Sequence, residues 1–429
     1  MLRSIRLIAM VALLVLPACA QEITGDWQGA LKLGGEELRV ILQVAKGHAG
    51  GWTATSVVVT QGGIPSHFRV SSVTLEGSTL KFAIEEVSGA YEGQVNADGN
   101  SIKGTWIQKQ RLPLDFQRAT KETAWRDPSP HSVQFITVEN NVRLEVLDWG
   151  GSGRPLVLLT GLGNDAHIYD NFARKLTDTC HVYGITRRGF GLSSTPNPAV
   201  IGNYAADRLG DDVLAVLNAL KLARPVLAGH SIAGEELSSV ASRYPERVAG
   251  LIYMEAGFGY AFYDSARGDL RIDKLELEQK LQKLQPEIGT EEFKKLVGEL
   301  LQTNLPAFER SLREVQKDLA VMPHQEPGHP ETPIRQAIYA GVRKYTDIRP
   351  PALAIFACPQ EYSESFPNEA ARAAFEARAA ANTAAMVNAF EAGVPSARVV
   401  RIPHASHYIF QSNEADVLRE IEAFLGDLH

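Results

Sequence analysis

Pro225-Val226-Leu227-Ala228-Gly229-His230-Ser231-Ile232-Ala233-Gly234 is the stretch on which the reading of this chain turns. An apolar, strand-like run leads into Ser231, and helix-forming residues continue from there to Tyr244. A serine at a strand–turn–helix junction sits on a strained bend that projects its hydroxyl from a sheet. The residues two places to either side must be small, because the helix packs close against the strand. Gly229 meets that demand, and Ala233, standing where glycine is usual, is small enough to keep the geometry. Outside this context Ser231 would be an ordinary turn serine; within it, Ser231 is a candidate nucleophile.

Outward from this point, apolar strand-like runs alternate with helical stretches. Leu156-Val157-Leu158-Leu159 precedes a helical segment around 168–176, and His181-Val182-Tyr183-Gly184-Ile185 precedes a helix over 204–222. In that helix Leu209, Val213, Leu217 and Leu220 share one stripe. Leu251-Ile252-Tyr253-Met254 follows the elbow. Such alternation predicts a parallel sheet with helices on both faces. It stops over 256–349, which is charged and helix-rich, and resumes with Ala352-Leu353-Ala354-Ile355-Phe356-Ala357, an Ala-rich helix over 369–391, Arg398-Val399-Val400-Arg401-Ile402 and a last helix over 413–425. The interruption falls at the C-terminal edge of a strand, where open α/β sheets bind ligands, so a helical cap over the site is expected.

Taken together, the motifs from about residue 132 onward resemble the α/β-hydrolase family. The elbow around Ser231 is one; Thr160-Gly161-Leu162-Gly163 is similar to the family's oxyanion loop after the third strand, with Thr160 in place of the common His. Arg187-Arg188-Gly189-Phe190-Gly191-Leu192-Ser193 is similar to its turn after the fourth strand. The resemblance implies a nucleophile–acid–base order along the chain, and backbone N–H groups of Leu162 and Ile232 as the oxyanion hole. Donors of that kind are worth on the order of 3 kcal/mol each. A serine hydroxyl also needs a base. Pro403-His404-Ala405-Ser406-His407 follows the last strand, and His407 matches the family position better than His404. His230, beside the serine, reads as a packed or hydrogen-bonded neighbour. No Asp lies between Asp347 and His407, so the acid that orients the imidazole, which the family usually carries after the seventh strand, is a Glu there or lies elsewhere. Glu361, past the seventh strand, has the commoner location and is placed first. Glu255, ending the sixth, is the alternative.

The remaining features set the frame. The 429 residues are 45% hydrophobic and 22% charged with a net charge of −7. No block of like charge points to nucleic acid or an anionic surface. Residues 1–20 have the layout of an export signal: Arg3 and Arg6, an apolar run over 7–16, then Pro17-Ala18-Cys19-Ala20. The run is too short for a mature transmembrane helix. Cleavage after Ala20 or a lipid anchor at Cys19 would follow, and an exported, periplasmic or extracellular location. Cys180 and Cys358 fall at opposite strand ends and are expected unpaired.

Residues 21–120 alternate like short strands with Gly-rich turns, as in Ala97-Asp98-Gly99-Asn100. The echo of Gly25-Asp26-Trp27 in Gly104-Thr105-Trp106 predicts first and last strands meeting in a small all-β barrel or sandwich of accessory role. Residues 121–131, with Asp127-Pro128-Ser129-Pro130, read as a linker to the domain over 132–429. No histidine pair at helical ligand spacing and no dinucleotide or phosphate loop is seen, so neither metal nor cofactor is expected. The expected reaction is hydrolysis of a small-molecule carboxylic ester through an acyl-enzyme, with amide or short-peptide cleavage as a variant. A non-catalytic binder of the same fold is the competing class.

Overall fold

The computed structural model describes residues 22–428 apart from 34–35, 48–49, 61–64, 201, 285–288, 323–330, 362–365 and 367. The expected export signal, with Cys19, lies outside the described residues.

The N-terminal strands are β1 (Gly25–Leu33), β2 (Glu36–Lys46), β3 (Trp52–Val59), β4 (Pro65–Arg69), β5 (Ser72–Glu76), β6 (Thr79–Ile84), β7 (Gly89–Val95), β8 (Ser101–Ile107), β9 (Arg111–Pro113) and β10 (Phe116–Arg118). They form one antiparallel sheet, β4-β3-β2-β1-β10-β8-β7-β6-β5, with β9 beside β8. Alternate residues of both arms, among them Trp27, Leu42, Phe82, Tyr91 and Phe116, enter a single apolar cluster. A two-sided ribbon can bury one face only against itself, so the sheet curls. First and last strands do meet, Trp27 opposite Arg118, but Trp106 stands one strand further off, on β8, which pairs with β10. The tryptophan echo therefore marks two strands that flank the closing strand. The Arg118 guanidinium covers the Trp27 ring at 4.2 Å.

The second sheet comprises β11 (Ser132–Glu139), β12 (Val142–Gly151), β13 (Arg154–Leu159), β14 (Cys180–Ile185), β15 (Val226–His230), β16 (Gly250–Met254), β17 (Ala352–Ala357) and β18 (Ala397–Ile402), in the order β11-β12-β14-β13-β15-β16-β17-β18. From β14 to β18 neighbours pair in parallel. Side chains alternate between its faces: Val157, Leu159, Leu227, Leu251 and Ala354 join one core with Val213, Leu217 and Leu237 of the helices Ala206–Ala219 and Gly234–Arg243. Leu156, Leu158, Ala228, Ile252 and Ile355 join the other, with Phe172, Val417 and Ile421. Both faces are covered, which is why these strands read as unbroken apolar runs. Cys180 and Cys358 are free.

Between β16 and β17 the chain leaves the sheet. Among the described residues this excursion holds the helices Leu270–Gln282, Glu291–Glu299, Leu305–Leu319 and Pro333–Ala340 and no strand. The short helix Pro333–Ala340 lays Ile334 and Ile338 on Ile232, Leu209, Phe190 and Leu162, so Leu209 of the predicted stripe serves the cap while Val213 and Leu217 serve the core. The N-terminal sheet docks through β4: the His67 N–H donates to Asp165 Oδ2 at 2.6 Å and Arg69 Nη2 to the Leu192 carbonyl at 2.7 Å. No helix among the described residues is long and apolar enough to cross a membrane.

Candidate active site

β15 ends at His230, and Ser231 follows with φ +53° before the helix Gly234–Arg243 begins. A left-handed non-glycine residue costs about 1–2 kcal/mol, and such strain collects where function requires it. Gly234 allows the tight bend: a side chain there would collide with the Ala256 carbonyl. The C-terminal end of β18 carries the chain to His407, whose Nε2 lies 2.9 Å from Ser231 Oγ. Its Nδ1 lies 3.3 Å from Glu255 Oε2.

Glu255 thus occupies the position expected first of Glu361, and the order of the two candidates is corrected. Glu361 is exposed, and its carboxylate stands 3.8 Å from His404 Nδ1, at the surface. The cause is the sheet register. Parallel pairing sets Met254 beside Ile355, so Glu255, the residue after β16, comes level with Phe356, and its carboxylate reaches Ala357, whose N–H donates to Glu255 Oε1 at 2.6 Å. Glu255 is fully buried with φ +50°. Burial raises its carboxyl pKa, against the His407 hydrogen bond and the Ala357 N–H, which lower it.

Leu162 and Ile232 enter one apolar cluster beneath the cap, which brings the loop after β13 beside the elbow. Gly163 in that loop has φ +86°, a backbone state that favours glycine. Arg187 holds the loop in place, which the sequence reading did not assign. Its buried guanidinium donates to the carbonyls of Thr160 at 2.8 Å and Gly161 at 3.4 Å, and to both oxygens of Glu236 on the elbow helix at 2.7 Å. One planar fork thereby ties the loop to the nucleophile's helix. The available signal was the Arg187-Arg188 pair, read above only as a turn motif.

Residues 154–323 match the family model for the alpha/beta hydrolase fold. That segment carries the α/β-hydrolase fold. Among curated proteins it is similar to a putative carbamate hydrolase RutD of Caulobacter segnis, 32% identical over 109 residues, 25% of this chain and 40% of that protein. It is also similar to the 3-oxoadipate enol-lactonase 2 of Acinetobacter baylyi, 31% identical over 121 residues, 28% of this chain and 43% of that protein. These matches span less than half of either relative. A bacterial membrane phospholipase A of known structure aligns over 70% of this chain and 87% of its own at 20% identity, with a TM-score of 0.45.

Beside Ser231, the side chains of His407, Glu255, Phe258, Tyr260, Arg271 and Met386 face a cavity of about 460 Å³ under the cap. Burial pushes the pKa of the Tyr260 hydroxyl well above the usual phenol range, against the Ser231 side chain, which lowers it. Tyr260 was not singled out in the sequence; it lies in the segment leading into the cap, where no motif marks it.

His230 is a strut. Its Nε2–H donates to the His407 carbonyl at 2.8 Å, fastening the base's loop to the elbow. Burial, reinforced by the nearby His407, lowers its pKa to about 3. The unfolded chain therefore takes up a proton below about pH 6.5 that the folded one refuses until about pH 3. This contribution is complete above pH 6.5 and is lost on acidification, at up to about 1.4 kcal/mol per pH unit. Melting temperatures recorded from pH 7 to pH 4.5 are expected to fall more steeply for the wild type than for His230→Asn, which cannot ionise. Parallel slopes would show that His230 is protonated in the fold.

Proposed function

We propose that the C-terminal domain is a serine hydrolase that cleaves carboxylic esters through an acyl-enzyme on Ser231. The observation that carries this reading is the continuous relay from Ser231 Oγ through His407 to Glu255. Ser231 attacks the carbonyl carbon while His407 Nε2 takes its proton and returns it to the departing alcohol; water, activated by the same nitrogen, then releases the acid. Glu255 holds the tautomer with the proton on Nδ1 and stabilises the imidazolium. The N–H groups of Ile232 and Leu162 would receive the oxyanion. The similarity to proteins named for a carbamate and an enol-lactone supports attack at an acyl carbon, since both compounds present a carbonyl to a nucleophile.

Amide cleavage is the second reading. It is favoured by the carbamate hydrolase and by similarity to a 2-(acetamidomethylene)succinate hydrolase of Mesorhizobium japonicum, 24% identical over 105 residues, 24% of this chain and 36% of that protein; both names contain a C–N bond. A binding protein that keeps only the fold would be expected to have lost part of the triad, and the intact relay speaks against it. The export-signal pattern of residues 1–20 supports a location outside the cytoplasm for this activity.

A panel of p-nitrophenyl esters of graded acyl length, run beside p-nitroanilides and aryl carbamates, tests the reading. Esters are expected to turn over fastest. Faster anilide cleavage would favour the amide reading, and ester rates no higher than those of His407→Ala would exclude the hydrolase assignment.

A further inference from the structure

A second constellation of titratable side chains, sharing no residue with the triad, lies where the linker, the hydrolase domain and the N-terminal sheet meet. Asp127 and His131 come from the linker, and His167 and Asp170 from the turn after β13. One donor atom from each lies within 4.8 Å of the others. His167 Nδ1 is 3.3 Å from both Asp127 Oδ2 and Asp170 Oδ2. His131 reaches Asp170 Oδ1 at 3.0 Å through Nδ1 and Asp127 Oδ2 at 3.5 Å through Nε2. The His131 and His167 side chains are 3% and 2% exposed.

We propose that Asp127, His131, His167 and Asp170 form a four-coordinate site for a divalent transition-metal ion of the Zn²⁺ type. Donors at 2.0–2.1 Å from a tetrahedral Zn²⁺ lie about 3.3 Å from one another, the distance from His167 Nδ1 to both Asp127 Oδ2 and Asp170 Oδ2, and one donor atom of His131 falls within 4.8 Å of these. His131 Nδ1 is buried and makes no hydrogen bond, although Asp170 Oδ1 is only 3.0 Å away. Without a hydrogen bond there, this buried nitrogen has its lone pair available to an ion. Two carboxylates and two neutral imidazoles around a dication also leave the buried site without net charge, and imidazole with carboxylate is a donor set that suits Zn²⁺.

The surroundings are those of a metal site. Trp149 Nε1 at 2.9 Å and Ser129 Oγ at 2.8 Å both donate to Asp170 Oδ1, and the Ser129 N–H donates to Asp127 Oδ1 at 2.9 Å. Both Oδ2 atoms are left for the ion. His167 turns Nε2 toward Glu145 Oε1 at 3.8 Å, an oxygen that is buried without a hydrogen bond, while Thr186 holds the other oxygen at 2.8 Å. A carboxylate behind a ligating histidine fixes its tautomer and raises its basicity. His67 of β4 stacks on His167 at 3.9 Å. The ion would therefore clasp the linker to the turn that follows the loop carrying Leu162, with β4 packed against the site through His67. The competing occupant is a proton: against the opposing effect of burial, Asp127, Asp170 and Glu145 push the His167 pKa up to about 12. The expectation of no metal rested on looking for paired histidines; here each histidine is paired in sequence with an aspartate.

The test uses the full chain, stripped with a chelator, dialysed and titrated with ZnCl₂ by calorimetry, with metal content measured in parallel. One equivalent per chain and a melting temperature raised by several degrees are expected. Co²⁺ in place of Zn²⁺ should give the intense visible absorption of a tetrahedral site. Asp127→Asn with His131→Gln should abolish binding. Trp149→Phe, which removes only an outer donor, should weaken it about 10–100-fold. His407→Ala, which removes an imidazole at the active site, should leave it unchanged. No stoichiometric binding, binding that survives the double substitution, or a melting temperature indifferent to Zn²⁺ would overturn the proposal; if the double variant does not fold, unchanged affinity in Trp149→Phe would do so.

Discussion

Ser231→Ala is expected to lose all labelling by a fluorophosphonate probe and to reduce ester turnover on the order of 10⁶-fold, the loss seen when a triad nucleophile is removed. The hydroxyl sits 2.9 Å from a base on a bend that the backbone holds at φ +53°. A free serine attacks poorly at neutral pH, and only the proton transfer to His407 makes it reactive. Alanine keeps the same strained backbone and leaves no buried charge behind, so the melting temperature should hardly move. A residual rate of about 10³–10⁴ over water is expected, because the oxyanion donors and the binding cavity remain. Mass spectrometry of the labelled wild type should place the adduct on the peptide containing Ser231. Undiminished labelling of the alanine variant would mean that another nucleophile does the chemistry.

Glu255→Gln is expected to lower kcat by about 10⁴-fold, and Glu361→Gln to leave it unchanged. Glutamine is nearly isosteric and can still accept the Ala357 N–H. Toward His407 Nδ1, however, it presents either a neutral oxygen or an N–H donor. The second favours the tautomer with its proton on Nε2, which cannot accept from Ser231. Loss of this size is what a wrong tautomer costs in a triad whose geometry is otherwise intact. Glu361, by contrast, faces solvent beside His404. Melting curves for both variants would separate a catalytic from a folding defect. Equal and full activity in Glu255→Gln would remove the third member from the mechanism, and a large loss in Glu361→Gln would reinstate the order expected from sequence.

Much of the hydrolase domain was legible in the chain because its signals are local. Strands buried on both faces must be apolar throughout, so β13, β15, β16 and β17 announce themselves as runs of four to six apolar residues bounded by turns. The elbow is a contiguous six-residue pattern, and His407 follows the last strand at a spacing set by one loop. The cap was visible as a break in alternation. In the N-terminal domain the strands and the meeting of first and last were legible, but which strand closes the sheet was not, since β10 has three residues and carries almost no pattern.

What the chain by itself pointed to was therefore the proposed nucleophile, the proposed base, and the layered sheet that presents them. The choice of acid, the Arg187 fork and the histidine–aspartate cluster were decided only by tertiary structure. Glu255 and Glu361 both follow a strand; only the register of β16 against β17 separates them. It turns one carboxylate inward beside Ala357, whereas Glu361, whose N–H donates to the Ala405 carbonyl, is carried to the surface. Asp127 and His167 are strangers in sequence and neighbours only because the linker folds back over the turn after β13. Side chains that meet through long-range packing leave no periodic trace, because no local rule of spacing governs which of them will touch.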